Sequence, residues 1–371
     1  MLKIKPDESS MFGVKIKVVG VGGAGGNAVS EMVPRLSGVD LIAINTDSQA
    51  LAANTAAIKL QIGRRLTEGL GTGANPEMGK FAANEDRAQI AELLKGANVV
   101  FLTLGLGGGT GTGAGPVVAK IAKDNGAIVL GFVTFPFVFE GSQRMEIAQD
   151  GLPEIRKQLD TLITVPNEKI FDVVPPDTSL KEAFALVNEI LYQGVAAISD
   201  LITQPGLMNL DFADLRTIVE DGGEGLMGTG SARGANRSEE ASRLAISNPF
   251  LKREELVTAR NILVSIAGGE NLGVFEVRKV VYYIHQALTP QVKSFCGTVI
   301  DSRLEDDLKV TVIATGLEKA TLTRGESKEK EPKSRKKDRE ATGEDKVGPS
   351  LFEQGLSEAE LPAYIRNKKE Q

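Results

Sequence analysis

The sequence is poor in the residues that build redox and metal chemistry: among 371 residues there is one cysteine, one histidine and no tryptophan. Cys296 alone cannot close an internal disulfide, and Cys296 with His285 falls short of a structural zinc site. Both are expected to be ordinary structural residues, and neither a side-chain metal centre nor histidine-based catalysis is expected. No uncharged apolar run reaches the roughly 18 residues of a membrane span, and the opening MLKIKPDESS lacks the apolar stretch of a secretory signal. The expected location is therefore the cytosol, with no direct insertion into a membrane. Net positive charge is also missing: at −6 overall, the chain is not expected to have nucleic acid as a partner.

Glycine, by contrast, is abundant, with 41 residues, and seven of them fall within GLGGGTGTGAG at 105–115. Such a run is either a loose linker or backbone shaped around something that approaches it closely. Its flanks favour the second alternative. ANVVFLTLG (97–105) reads as a buried strand before it, and PVVAKIAKDNG (116–126) as a helix after it, with Pro116 in the first turn and Gly126 past the end.

The same strand–glycine–helix order occurs earlier. VKIKVVGVGGAGGNAV begins as a strand from Val14, satisfies G-x-G-x-x-G at Gly20, Gly22 and Gly25, and continues into a helix beginning at about Asn27. VDLIAINTD (39–47) and GAIVLGFVTFP (126–136) read as further buried strands, and 76–96 as a helix. Alternating strands and helices imply a Rossmann-like parallel sheet covered on both faces. A long helix is expected over 178–204, opened by a capping box of Ser179 and Glu182 and apolar around much of its circumference, as suits a helix between two domains.

The expected organisation is a flexible N-terminus (1–13), a nucleotide-binding domain (14–177), the central helix (178–204) and a second α/β domain (205–316), with helices at 236–247 and 275–288. A disordered linker of mixed charge (317–355) and a terminal peptide (356–371) follow, in which Leu361, Pro362, Tyr364 and Ile365 restore an apolar cluster suited to docking.

Glycines that bring backbone N–H groups toward an anion at a helix N-terminus form a phosphate site. Taken alone, the first glycine loop fits NAD as well as another nucleotide, with Asp40 or Asp47 as the acidic residue some 20 positions on. The second, Gly107, Gly108, Gly109, Thr110, Gly111, Thr112 and Gly113, adds a further dipole and two hydroxyl donors, which suits a di- or triphosphate better. No G-x-x-x-x-G-K-[ST] occurs, so P-loop chemistry is not expected.

GGGTGTG after a strand is the tubulin-type GTPase signature, and from about Val14 to Gly316 the sequence resembles the FtsZ family of bacterial tubulin-like division GTPases. The resemblance implies GTP and GDP as ligands, with Mg²⁺ held through phosphate, and it implies roles residue by residue. Gly22, Gly23, Gly26 and Asn27 would approach the α- and β-phosphates, Asn45 and Asp47 (INTD) would form the second nucleotide loop, and Gly105 and Gly107 to Gly113 would wrap the remaining phosphates. Gly71, Thr72, Gly73, Ala74 and Asn75 would close over the γ-phosphate. Pro136, Glu140 and Arg144 would meet the sugar, although their spacing alone also allows an exposed i,i+4 helix pair. Asn167 and Asn188 would bond guanine, with Phe184 stacked on it.

NLDFAD (209–214) resembles the family's hydrolysis loop, making Asp211 and Asp214, with Asn209, the catalytic candidates; spacing alone equally allows Asp211 to cap a helix. The resemblance also implies that these residues complete the site of the next subunit in a head-to-tail filament, assembled as a cytoplasmic ring beneath the membrane at midcell. ELPAYIR (360–366) resembles a peptide for membrane-tethering and regulatory division proteins, so residues 360–371 are the expected docking segment. Phe135 stands where a basic residue is expected, Thr72 where alanine is usual, and EDGGEG (220–225) is unusually rich in glycine. An NAD-dependent oxidoreductase and a tubulin-like DNA-segregating filament remain the alternatives.

Overall fold

A computed structural model describes residues 13–204, 208–220, 222–251, 253–289 and 291–317. All but the first residue of the expected linker, the docking peptide, nearly all of the expected N-terminal segment and Asp221 of EDGGEG lie outside the described residues.

Among the described residues, ten strands form one sheet: β1 (Ile16–Val21), β2 (Asp40–Asn45), β3 (Ile58–Gln61), β4 (Val99–Gly105), β5 (Ile128–Phe135), β6 (Thr161–Pro166), β7 (Gly223–Arg233), β8 (Asn261–Gly268), β9 (Lys293–Ile300) and β10 (Asp307–Thr315). Their order is β3-β2-β1-β4-β5-β6-β7-β10-β8-β9, and only β10 runs antiparallel to its two neighbours. The first six follow the doubly wound order, which leaves a crevice at the carboxyl ends of β1 and β4, where the strand order reverses. The chain is thus mixed α/β, as expected. The sheet does not stop at the central helix, however: β7 pairs in parallel with β6 through Thr161–Gly223 and Ile163–Gly225.

Among the described residues there are twelve α-helices. α1 (Gly22–Met32), α2 (Ser48–Ala53), α3 (Arg64–Thr67), α4 (Pro76–Glu85), α5 (Arg87–Leu94), α6 (Gly109–Asp124) and α7 (Ser142–Arg156) precede the 24-residue α8 (Leu180–Thr203). α9 (Phe212–Val219), α10 (Arg237–Ile246), α11 (Arg253–Leu256) and α12 (Val274–His285) follow. The strands of the first half are buried on both faces, so alternate residues serve two cores. Val18, Phe101 and Phe132 pack with α1 and α8, while Val19, Val100 and Leu102 pack beneath α4, α5 and α6. The first core continues into Leu263, Val299 and Ile313 of the second half, so α8 is buried against both halves of the sheet. α8 is long and apolar enough to cross a bilayer, but over half of its most apolar window lies inside the fold. Its N-terminus is the expected capping box: Ser179 Oγ accepts from Glu182 N–H at 3.3 Å and the Glu182 carboxylate accepts from Ser179 N–H at 2.8 Å.

Three expectations need correction. The helix expected from Pro116 begins at Gly109, so the glycine run is itself helical and Pro116 lies inside α6. The reason is packing: a Cβ on Gly113 would stand 1.8 Å from Pro76 O, and one on Gly79 would stand 2.3 Å from Gly109 O. α4 and α6 therefore touch backbone to backbone, and this contact offsets the poor helix propensity of glycine. α1 likewise begins at Gly22 rather than near Asn27. Finally, the helix expected over 76–96 is two helices, broken at Asp86, whose backbone leaves the helical region and whose carboxylate accepts from Gly63 N–H at 2.7 Å.

Candidate nucleotide-binding cleft

At the carboxyl ends of β1, β2, β4, β5 and β6 lies a cleft of about 540 Å³, within the usual size of a small-ligand site. Two helix N-termini meet there. α1 follows Val21 and α6 follows Gly108, and neither has a side-chain cap or an acidic residue in its first turn. The neighbouring helices α2, α4 and α8 are capped by Asp47, Asn75 and Ser179. α1 and α6 therefore present free N–H donors and two positive dipole ends at the strand switch point, an arrangement that binds an anion. The two turns come close because Gly22 adopts φ +74°, and any side chain on it would strike Gly111 N at 2.8 Å.

The glycines sort into two kinds. Gly109, Gly111 and Gly113 lack side chains because protein backbone or side-chain atoms occupy the space, whereas Gly23, Gly73 and Gly108 line the cleft and a Cβ on any of them would meet nothing within 4 Å. Only the second kind keeps space open for a ligand.

The structure brings most of the sequence candidates to the cleft wall. Gly23, Asn27, Asn45, Asp47, Gly71, Thr72, Gly73, Ala74, Gly105, Gly108, Gly109, Thr110, Gly111, Pro136, Glu140, Arg144, Asn167, Phe184 and Asn188 all line it. Gly22, Gly26, Asn75, Gly107, Thr112 and Gly113 do not line it. Thr112 Oγ1 accepts from Gly107 N–H at 3.0 Å, while Asn75 Oδ1 accepts from Glu77 N–H at 3.0 Å. Thr110 was expected as a donor to phosphate, yet its hydroxyl is shared with Thr46 at 2.7 Å and approaches Thr72 at 3.4 Å. Thr72, the departure from the usual alanine, thus ties the 69–75 loop to α6.

At the far end of the cleft Glu140 accepts from Phe137 N–H at 2.9 Å and from Arg144 Nη1 at 2.6 Å, so the i,i+4 pair forms and also faces the cleft. Asn167 is buried and its Oδ1 has no partner, which leaves an acceptor waiting for a donor. Phe184 remains 39% exposed although its ring meets Phe137 edge-on at 5.2 Å, leaving a face free to stack. A buried unpaired amide oxygen, an open aromatic face and two uncapped helix ends fit a purine nucleotide.

Sequence reasoning missed Val21, Ala24, Ala50, Leu70, Leu106, Thr134, Val187 and Leu191, which also line the cleft. Val187 and Leu191 could have been found as the residues three and seven beyond Phe184 on one helix face. The others are apolar or small residues indistinguishable from core.

Asn209, Asp211 and Asp214 do not line the cleft. Asp211 caps α9, its carboxylate accepting from Asp214 N–H at 2.7 Å, and Asn209 Nδ2 donates to Gln204 O at the end of α8. Gln204 is 16 residues beyond Asn188, so along α8 they stand about 24 Å apart at 1.5 Å per residue. The glycines of EDGGEG have local causes: a Cβ on Gly222 would meet Thr161 Oγ1 at 2.3 Å, and Gly223 takes φ +59° where β7 joins β6. Phe135 packs against the core beneath α4 to α6.

Residues 15–175 match the tubulin/FtsZ family GTPase domain, and residues 223–318 match the FtsZ family C-terminal domain. Among solved structures, FtsZ of M. jannaschii, solved as an empty dimer, is 40% identical with a TM-score of 0.78, covering 82% of this chain and 88% of that one. CetZ2 of Haloferax volcanii, solved as a GTPγS-bound protofilament, is 23% identical with a TM-score of 0.68 over 82% of this chain and 94% of its own. These likenesses favour neither the NAD oxidoreductase nor the DNA-segregating alternative. The chain belongs to the FtsZ family of tubulin-like proteins and carries that family's guanine-nucleotide-binding GTPase domain.

Proposed function

We propose that this GTPase polymerises head to tail and hydrolyses GTP at the junction between copies, as the scaffold of a division ring beneath the membrane at midcell. One observation carries the reading. Among the described residues lining the cleft, only Asp47 and Glu140 bear carboxylates, and both are engaged in capping α2 and holding Arg144. Both are committed to local structure: one oxygen of Asp47 caps α2, and the two oxygens of Glu140 hold Phe137 N–H and Arg144. Asp211 and Asp214 lie at the opposite end of α8, too far to reach their own cleft; in the proposed head-to-tail contact they enter that of a second copy. A heterologous contact of this kind does not close on itself and so produces filaments.

In this reading the N-termini of α1 and α6 hold the phosphates, the 69–75 loop senses the γ-phosphate, Glu140 and Arg144 hold the ribose, and Asn167, Phe184 and Asn188 hold the base. Asp211 and Asp214 of the next copy orient the attacking water, assisted by Asn209. No group of three or more His, Cys, Asp or Glu suited to a metal occurs among the described residues, so Mg²⁺ would be held mainly by phosphate oxygens, whose charge it neutralises. Residues 360–371 would dock membrane-tethering and regulatory division proteins. GTP turnover per subunit should rise steeply with protein concentration and run parallel to pelleting in GTP but not in GDP. Turnover that is independent of concentration down to dilute monomer would overturn the reading.

A further inference from the structure

Asn188 does not face the cleft unsupported: its Nδ2 donates to Glu31 Oε1, across from α8 to α1, at 3.0 Å. Glu31 itself does not line the cleft. An ionised carboxylate only accepts, so it can hold an amide by the NH₂ side alone. That bond uses the NH₂ side of Asn188 and not its oxygen, and Asn188 lines the cleft together with Asn167, whose Oδ1 is unpaired. Two amide acceptors suit the donor edge of guanine, its N1–H and 2-amino group, and reject adenine, which presents an acceptor at N1. An isolated asparagine can flip its amide and offer donor or acceptor with similar ease.

We propose that Glu31 is a positioning residue for base selection, locking the Asn188 amide in the orientation that reads guanine. The proposal rests on the reading of Asn188 as a base contact, and the test separates the two. Binding of GTP and of ITP, which lacks only the 2-amino donor, is measured at equilibrium for the wild-type full-length chain, Asn188→Ala, Glu31→Gln and Glu31→Lys. The ratio of the two affinities is the readout, because a charge change at position 31 that acts on the phosphates alters both ligands alike.

The wild type should prefer GTP by about tenfold, the value of one hydrogen bond to a donor that ITP lacks. Asn188→Ala should abolish that preference. Glu31→Gln, which can still accept from the amide, should retain most of it. Glu31→Lys, which can only donate, should turn the amide around and bring the ratio to one or below. If Asn188→Ala leaves the ratio unchanged, Asn188 does not read the 2-amino group and the proposal falls with that reading. If Asn188→Ala abolishes the preference while Glu31→Lys preserves it, the base contact stands and the role of Glu31 is overturned.

Discussion

Two alanine substitutions only five residues apart should fail in opposite ways. Gly108 has φ −95° and ψ 162°, a conformation alanine adopts freely, and a Cβ there would meet no atom within 4 Å. Alanine is a poorer helix cap than glycine by roughly 0.5 kcal/mol, while its stiffer unfolded chain returns about 0.4–1 kcal/mol, so the net change in stability should be close to zero. The methyl group would nevertheless stand in the cleft at the mouth of α6, where the phosphates are proposed to sit. A Cβ on Gly113 would fall 1.8 Å from Pro76 O, and its neighbour is rigid backbone rather than a movable side chain. Separating α4 from α6 should cost about 1–3 kcal/mol beyond the gain of up to about 1 kcal/mol in helix propensity. At about 2–4 °C per kcal/mol, Gly113→Ala should melt several degrees below wild type, measured without nucleotide. Gly108→Ala should melt with wild type and lose binding of a fluorescent GTP analogue. If Gly108→Ala binds normally, or Gly113→Ala melts unchanged, the division of the run into packing and ligand-facing glycines is wrong.

Asp211→Ala should destabilise the fold by about 1 kcal/mol through the lost cap of α9, whereas Asp211→Asn, which can still cap, should melt as wild type does. Burial raises the Asp200 carboxyl to about 6, so its ionisation is costlier in the folded state than in the unfolded one. The stability this group contributes is full below pH 4 and lost as pH rises through 6, so Asp200→Asn should raise stability at pH 7.5 by about 1–3 kcal/mol and flatten its slope between pH 4 and 6, read by urea denaturation. Arg237 is buried and bonds Glu276 at 2.7 and 2.8 Å and Asp306 O at 2.7 Å. Arg237→Ala should therefore cost about 3–5 kcal/mol, and a melting temperature near wild type would count against this accounting.

What the sequence made legible was mostly local. The Ser179–Glu182 box marked the start of α8 to the residue, because both bonds are made within one turn. The buried strands β1, β2, β4 and β5 stood out as continuous apolar runs. The helical glycine run did not, since its cause is a contact between α6 and α4, some thirty residues earlier in the chain. β7 escaped for the same reason: the glycines of GEGLMGTGSAR hide its strand character, yet a Cβ on Gly228 or Gly230 would strike Ala245 O or Ala241 O of α10 at 2.2 Å. Asp86 shows the converse case, in which a side chain bonded to Gly63, 23 residues away, breaks an otherwise continuous helical pattern. In the cleft, polar and glycine residues were legible through their motifs, while its apolar wall was shared with the core and carried no separate signal.

The central claim is that one copy binds the nucleotide that another cleaves. Asp211→Asn retains the cleft and the cap of α9 but lacks the proposed catalytic charge; Gly108→Ala retains Asp211 but should not bind GTP. Mixed in equal amounts at a fixed total concentration, the two should turn over GTP several-fold faster than the mean of the separate proteins, because a Gly108→Ala copy can complete the site of an Asp211→Asn copy. A mixture whose rate equals that mean would contradict the account.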